Sequence, residues 1–278
     1  MPSWTIAAVQ MDCKLADKQA NLERIKEHLC DAARRKAGLV VFPECALTGY
    51  CFESKEEAFP FAESLPGPST QALASLCRQL DLWVVYGLLE RDGERLFNSC
   101  ALVGPEGFKA GYRKVHLPFL GVDRFTTPGD TPFAVHDLGG LRLGINICYD
   151  GSLPEPARVL ALLGADLVVL PTNWPEGAWC STQHVPAVRA MENHIYYAAV
   201  NRVGKERGFA FIGQSRIVDC NGKNLAYAER SGEAVIEATI DPAVAREKQV
   251  VIIPGQYEVN RIAGRRPEMY GPIVRHKE

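Results

Sequence analysis

The chain has 278 residues, with 31 Lys and Arg against 33 Asp and Glu, and a formal charge of −2 excludes the strongly basic footprint of a nucleic-acid binder. Its longest apolar runs, such as residues 82–89, fall far short of the roughly 18 residues a membrane-spanning helix needs. No basic stretch followed by an apolar one opens the chain, so no signal peptide is read and the cytoplasm is the expected compartment.

A first strand is expected over residues 5–9 and a helix over 17–36, with Asp17 as N-cap and Leu22, Ile25, Leu29 and Ala32 on one face. Apolar, β-branched runs follow at 39–42, 83–88 and 99–103, and a helix at 69–80 separates the first two. Residues 83–115 show no helical pattern and read as adjacent antiparallel strands. Next come a strand over 141–147, a helix from Pro154 to near Gly164, a strand over 166–170, a helix over 182–194 and a strand over 195–200. An apolar, β-branched run at 210–218, opening a hairpin-like stretch at 210–227, and a strand over 234–240 complete the pattern. Ser152 and Glu155 make a capping-box pattern for the helix at 154. Without repeats, linkers or blocks of like charge, the chain reads as one continuous α/β domain with mixed sheets.

Nine cysteines, an odd number at scattered positions with no C-x-x-C, read as reduced thiols, and six dispersed histidines offer no zinc-ligand spacing. No metal site is expected. Cys148 differs from the other eight. It ends the strand at 141–147 just ahead of a helix N-terminus, where α/β sheets place ligands and where a partial positive charge favours a thiolate. A packed strand-end thiol is the competing reading at this point. Glu44 ends the apolar run at 39–42; buried there it would have a raised pKa and act as a base near neutrality. The alternative is a glutamate paired with a cation or reaching solvent. Lys114 follows a third strand segment and is either a fixed cation or a surface decoration. Together the three supply the parts for acyl transfer: a thiol, a carboxylate base and a cation. Among the histidines, only His116 is near enough in sequence to enter such a site.

In ordered blocks the sequence resembles the nitrilase superfamily of carbon-nitrogen hydrolases. The blocks are Phe42-Pro-Glu-Cys-Ala-Leu-Thr-Gly-Tyr50, Tyr112-Arg-Lys-Val-His-Leu-Pro118, Gly144-Ile-Asn-Ile-Cys-Tyr-Asp150, the stretch from Gly164 to Pro175, and Arg189-Ala-Met-Glu-Asn193 through Gly204. The resemblance implies a Glu-Lys-Cys triad at Glu44, Lys114 and Cys148, with the backbone N–H of Tyr149 in the oxyanion site. It further implies a four-layer α-β-β-α sandwich with two mixed sheets, homodimers or larger homo-oligomers, and no metal or organic cofactor. It spans residues 5 to about 240, which suggests a hydrolase domain over 1–254 and a solvated or subunit-contacting tail over 255–278. Many relatives carry a further glutamate shortly before a Pro-Gly turn; here Asp123 precedes Pro128 and Gly129 and is the candidate for that place.

Cys148-Tyr149-Asp150 resembles the amidase and carbamoyl-hydrolysing branches more than the nitrilases. The arginines that clamp a substrate carboxylate in relatives acting on N-carbamoyl-D-amino acids are replaced here by Gly151 and Ser152. Asn173 and Trp174 are expected to line the substrate pocket, with loop hydrogen bonding and core packing as the alternatives; Tyr50 and Phe119 are expected either on its rim or packed at the surface, and Arg189 is expected to pair with Glu192 one helical turn away. The expected function is thiol-dependent hydrolysis of a small linear amide or N-carbamoyl amine, with no nucleic-acid or membrane partner. A nitrilase is the nearest alternative. A catalytically silent binding or scaffold protein of the same fold is the alternative from another class.

Overall fold

The computed structural model describes residues 3–230 and 232–275. Its first half runs β1 (Trp4–Gln10), α1 (Lys18–Arg34), β2 (Leu39–Val41), α2 (Lys55–Ala58), α3 (Pro68–Leu80), β3 (Trp83–Asp92), β4 (Arg95–Gly104) and β5 (Gly107–Arg113). The second half continues with β6 (Val135–Asp137), β7 (Arg142–Ile145), α4 (Pro154–Leu162), β8 (Leu167–Thr172), α5 (Trp179–Asn193) and β9 (Tyr196–Asn201). The short pair β10 (Lys205–Glu206) and β11 (Phe209–Ala210) precedes β12 (Arg216–Val218), β13 (Asn224–Tyr227) and β14 (Ala234–Ile240). Finally α6 (Pro242–Arg246) leads to a hairpin of β15 (Val250–Ile253) and β16 (Tyr257–Val259). That hairpin spans the point between residues 254 and 255 where the expected tail begins.

Two six-stranded mixed sheets form the body, ordered β14-β1-β2-β3-β4-β5 and β13-β12-β9-β8-β7-β6. Each has a parallel centre, β1-β2-β3 in one and β7-β8-β9 in the other, flanked by antiparallel strands. The period-2 alternation of the strands accounts for the layers. In the first sheet, Ile6, Ala8, Leu39, Val41 and Val85 pack in one core with Leu143, Val168 and Ala198 of the second sheet. Their neighbours Ala7, Val9, Val40 and Val84 face the other way, onto Ile25 and Leu29 of α1 and Leu73 and Cys77 of α3. Ala157 and Leu160 of α4 and Ala190 of α5 cover the second sheet. The expected α-β-β-α sandwich is therefore present, and its central strands are apolar throughout because both of their faces are covered. Among the described residues no helix is long and apolar enough to cross a membrane.

Two local expectations are corrected. The cap of α4 is Leu153 rather than Ser152, because Cys148–Ser152 form a separate 3-10 turn between strand and helix. The stretch from 210 to 218 is not one continuous strand: Gly213 and Gln214 adopt left-handed backbone. Ile212 and Gly213 turn their N–H groups to the carbonyls of Trp174 and Arg202 instead of a strand partner.

Candidate active site

The carboxyl ends of β2, β5, β7 and β8 converge on one buried polar cluster. Glu44 leaves β2 in a tight turn that closes onto Gly87 of β3, with Leu47 N–H on the Gly87 carbonyl at 3.0 Å and Gly87 N–H on the Pro43 carbonyl at 3.2 Å. A Cβ on Gly87 would lie 2.2 Å from the Cys45 nitrogen, so the Glu44 turn exists at this position only because residue 87 has no side chain. Lys114 follows β5 directly and is locked by its own N–H on the Asn98 carbonyl and its carbonyl on Gly129 N–H, both 2.8 Å.

The Lys114 ammonium donates to Glu44 Oε1 at 2.6 Å and to Asp123 Oδ2 at 2.5 Å, and all three side chains are fully buried. The side-chain amide of Asn98, in the middle of β4, donates to the same two carboxylates, 2.7 Å to Glu44 Oε1 and 2.9 Å to Asp123 Oδ1. One ammonium thus faces two carboxylates, which leaves an excess negative charge in a dry site. Burial raises the Glu44 pKa; Lys114 opposes that shift and the charge of Asp123 adds to it. For Lys114 burial works against the charged form, but Asp123 and Glu44 outweigh it and hold the ammonium well above the ordinary lysine range. Glu44 Oε2 has no hydrogen-bond partner although it is buried. Leaving such an atom unpaired costs about 1–3 kcal/mol.

Cys148 opens the 3-10 turn after β7 with a left-handed backbone, φ +44°, an uncommon conformation for a non-glycine residue that clusters at functional sites. The turn is held by Asp150, whose fully buried carboxylate accepts from Ile147 N–H (3.0 Å), Tyr112 O–H (2.7 Å) and His116 N–H (3.0 Å). Asp150 also meets His116 Nδ1 at 2.7 Å, so His116 ties the lysine segment to the cysteine turn. From α5, Arg189 donates to the Gly151 carbonyl at 3.1 Å and pairs with Glu192 at 3.0 Å, as expected from their spacing. The sulfur stands near enough to Glu44 and Lys114 to feel both charges, and the Thr172 hydroxyl and Asn173 backbone N–H favour its thiolate. Burial and the Glu44 charge prevail, pushing the thiol up to about 12. The helix-terminus stabilisation expected from sequence is outweighed, since α4 begins six residues further on. A thiol held protonated requires a base to act as a nucleophile, and the buried Glu44 carboxylate is among the charges it feels.

The remaining expected residues have different fates. Asp123 joins the cluster directly. Asn173 is fully buried with both ends of its side-chain amide unpartnered. Trp174 packs in the inter-sheet core, its backbone N–H on Asn201 Oδ1 at 2.8 Å, while Phe119 is 91% exposed and the Tyr149 side chain is partly exposed. Tyr50 is a correction: it is buried rather than on a rim, with its hydroxyl 2.9 Å from Asp123 Oδ2 and 3.0 Å from the Leu120 carbonyl. Gly121, left-handed and pressed against the Tyr50 ring, lets the turn carrying Asp123 close over it. Tyr50 is itself fixed by Glu206, which accepts from Tyr50 N–H (3.0 Å) and Cys51 N–H (2.9 Å) and pairs with the buried Arg202.

Sequence reasoning missed Asn98, Gly87 and Glu206, and took Asp150 only as a marker of substrate branch. The weak signal for Asn98 was a polar residue in the apolar run of β4.

A left-handed cysteine beside a buried carboxylate and ammonium, at the strand ends of an α-β-β-α sandwich, defines a hydrolase of the thiol class. The family profile for carbon-nitrogen hydrolases matches residues 5–249, and the chain belongs to that family, within the nitrilase superfamily. It is 39% identical over 246 residues to a nitrilase of Pyrococcus abyssi (strain GE5 / Orsay), covering 88% of this chain and 92% of the relative. An (R)-stereoselective amidase of Pseudomonas sp is 36% identical over 252 residues, covering 87% and 88%. Among solved structures, an amidase from Nesterenkonia sp. AN1 with acrylamide added at its active-site cysteine superposes with a TM-score of 0.76 at 25% identity, covering 88% of this chain and 96% of the other.

Proposed function

We propose that the protein hydrolyses the carbon-nitrogen bond of a small linear amide or N-carbamoyl amine through a thioester at Cys148. The observation that carries the reading is the contact of one buried ammonium, Lys114, with two buried carboxylates beside a strained, protonated cysteine. Glu44 takes the proton from Cys148 Sγ as the sulfur attacks the carbonyl carbon, and the C=O electron pair moves onto oxygen. Lys114 and the backbone N–H of Tyr149 hold that oxyanion, each donor contributing roughly 3–4 kcal/mol. Glu44 then passes the proton to the departing nitrogen, the C–N bond breaks, and ammonia or an amine leaves. In the second half Glu44 takes a proton from water, the hydroxide adds to the thioester, the C–S bond breaks, and the thiol regains its proton. Asp123 balances Lys114 throughout, so the lysine stays charged while Glu44 alternates between its two forms. The unpartnered Asn173 amide takes a polar group of the substrate.

Ammonia release from a panel of amides, ureido compounds and nitriles tests this, with Cys148→Ala as control. Turnover of amides that disappears in the variant is expected, and undiminished turnover there would sink the assignment. The nitrilase reading is favoured by the 39% identity to the Pyrococcus relative; acid formation from nitriles but not from amides would select it. The chain also works as a homodimer or larger homo-oligomer in this reading, which is supported by Val159 and Leu162 of α4, Leu163 at its C-cap, and Val188 and Met191 of α5, all left exposed. Sedimentation equilibrium checks that point.

A further inference from the structure

We infer that Asn98 is the positioning residue that decides which oxygen of Glu44 works as the base: together with Lys114 it occupies Oε1, and so leaves Oε2 to take the Cys148 proton. The inference rests on the reading of the protein as a thiol-dependent amide hydrolase. Asn98 lies in β4 between β3 and β5, opposite Leu89 on one side and accepting Lys114 N–H on its own carbonyl at 2.8 Å on the other. Its backbone is therefore fixed by the same segment that carries the lysine. The buried side-chain nitrogen donates to Glu44 Oε1 at 2.7 Å and to Asp123 Oδ1 at 2.9 Å. An amide NH2 has two N–H groups, and both are spent on carboxylates. The other end, Oδ1, accepts from the Cys45 thiol at 3.5 Å. Turning the amide over would set its oxygen against two carboxylates and its NH2 against a thiol, so it has one workable orientation.

The two oxygens of Glu44 are thereby made unequal. Oε1 accepts from Lys114 at 2.6 Å and from Asn98 at 2.7 Å, which fills both of its lone-pair directions. Oε2 is buried and accepts from no protein group, and the Cys148 sulfur lies near enough to feel the Glu44 charge. A carboxylate gripped at one oxygen by donors from two segments cannot exchange its oxygens without losing both bonds. The proton route runs from Sγ to Oε2. That the donor at 98 is neutral matters as much as its place. The groups facing Glu44 are Lys114, Asp123, the thiols of Cys148, Cys45 and Cys100, and the Tyr50 hydroxyl. Burial holds the three thiols and the phenol above their ordinary ranges, so only Lys114 and Asp123 bring charge to Glu44. A second cation at 98 would cancel the excess negative charge and leave Glu44 a weak base; an amide fixes the geometry and keeps that charge.

Asn98→Leu keeps the size of the side chain and removes both donors. The Asn98 hydrogen bond favours the ionised form of Glu44. Without it Glu44 ionises at higher pH, and the acid limb of kcat/KM is expected to move up by about one pH unit. The plateau kcat is expected to fall about tenfold with little change in KM, because Oε2 is no longer held toward the sulfur. Asn98→Asp is closer to the native shape but sets a third carboxylate against the other two; it is expected to cost more activity than Asn98→Leu. Packing alone would order the two variants the other way, and that order would overturn the inference. Asn98→Ser, too short to reach either carboxylate, takes the place of Asn98→Leu if thermal unfolding shows that the latter does not fold, with the same upward shift expected. A second readout needs no turnover: the rate at which iodoacetamide alkylates Cys148, followed across pH by mass spectrometry of its peptide. In wild type that rate is expected to fall as Glu44 takes up a proton, and in Asn98→Leu to fall at about one pH unit higher. Such a shift supports the inference even if no amide is hydrolysed, an outcome that would instead refute the proposed function. Amide hydrolysis with the acid limb and the alkylation profile both unmoved in Asn98→Leu would overturn the inference and leave the proposed function standing.

Discussion

Replacing Asp123 by Asn probes the charge balance of the cluster with almost no change of shape. In the native protein Asp123 Oδ2 takes Lys114 at 2.5 Å and Tyr50 at 2.9 Å, and Oδ1 takes Asn98 at 2.9 Å. Every one of these partners is a donor, so whichever way an asparagine amide is turned, its NH2 meets another donor. Asn98 cannot turn to relieve this without withdrawing the hydrogen bond it gives Glu44. The mismatch costs about 1–3 kcal/mol, and if it is felt where Lys114 meets the oxyanion, kcat falls roughly ten- to a hundred-fold. The charge has a separate signature. Asp123 is one of the causes that raise the Glu44 pKa; with it gone, Glu44 ionises at lower pH and the acid limb of kcat/KM moves toward lower pH. The assay is ammonia release against pH for wild type, Asp123→Asn and Asp123→Glu, with thermal unfolding to show that the variants fold. Asp123→Glu restores the charge and is expected to return the acid limb toward its wild-type position. A native kcat and an unshifted acid limb in Asp123→Asn would refute the reasoning.

Tyr50→Phe keeps the ring against Gly121 and removes only the hydroxyl on Asp123; kcat is expected to drop about tenfold at little change in KM, with a loss of about 1 kcal/mol in urea unfolding. Gly87→Ala puts a methyl 2.2 Å from the Cys45 nitrogen, so the Glu44 turn must move; activity is expected to vanish and the melting temperature to fall, and near-native activity would contradict the account. Arg202→Met strands the buried Glu206 carboxylate and is expected to cost about 3–5 kcal/mol by denaturant titration. In wild type, the raised Glu44 loses its base form as pH falls, so kcat/KM should show an acid limb above the ordinary glutamate range. With Cys148 pushed up to about 12 and Lys114 held charged, no alkaline limb near pH ~8 is expected in the rate profile.

Much of the fold was legible because the central strands alternate between two apolar cores. Residues 5–9, 39–42 and 234–240 carried that pattern openly, and the structure places β1, β2 and β14 there. Where pairing depended on backbone alone, the pattern misled. The apolar run at 210–218 reads as one strand, yet the left-handed pair Gly213 and Gln214 breaks it, and the N–H groups of Ile212 and Gly213 serve the turns after β8 and β9 instead. Ser152 likewise had the chemistry of a cap; the 3-10 turn that Asp150 draws together displaces the helix start beyond it.

The site divides along a similar line. Glu44 and Cys148 each follow an apolar strand and Lys114 follows a third strand, so sequence alone gives each an address at the carboxyl end of a strand. Asn98 lies within a strand and Gly87 contributes only the lack of a side chain, so neither has a local signature; their importance arises from what crosses them in space. Tyr50 shows how such a residue is misjudged. An aromatic next to a catalytic-looking block suggests a wall for substrate, but the same ring, once Gly121 folds against it, becomes the support for Asp123. The order of dependence then runs from Arg202 to Glu206, from Glu206 to the Tyr50 backbone, and from the Tyr50 hydroxyl to Asp123 and Lys114. A buried ion pair far from the sulfur in sequence therefore sets where the ammonium stands. Activity in Tyr50→Phe should accordingly fall more steeply than its stability, whereas Arg202→Met should lose both together.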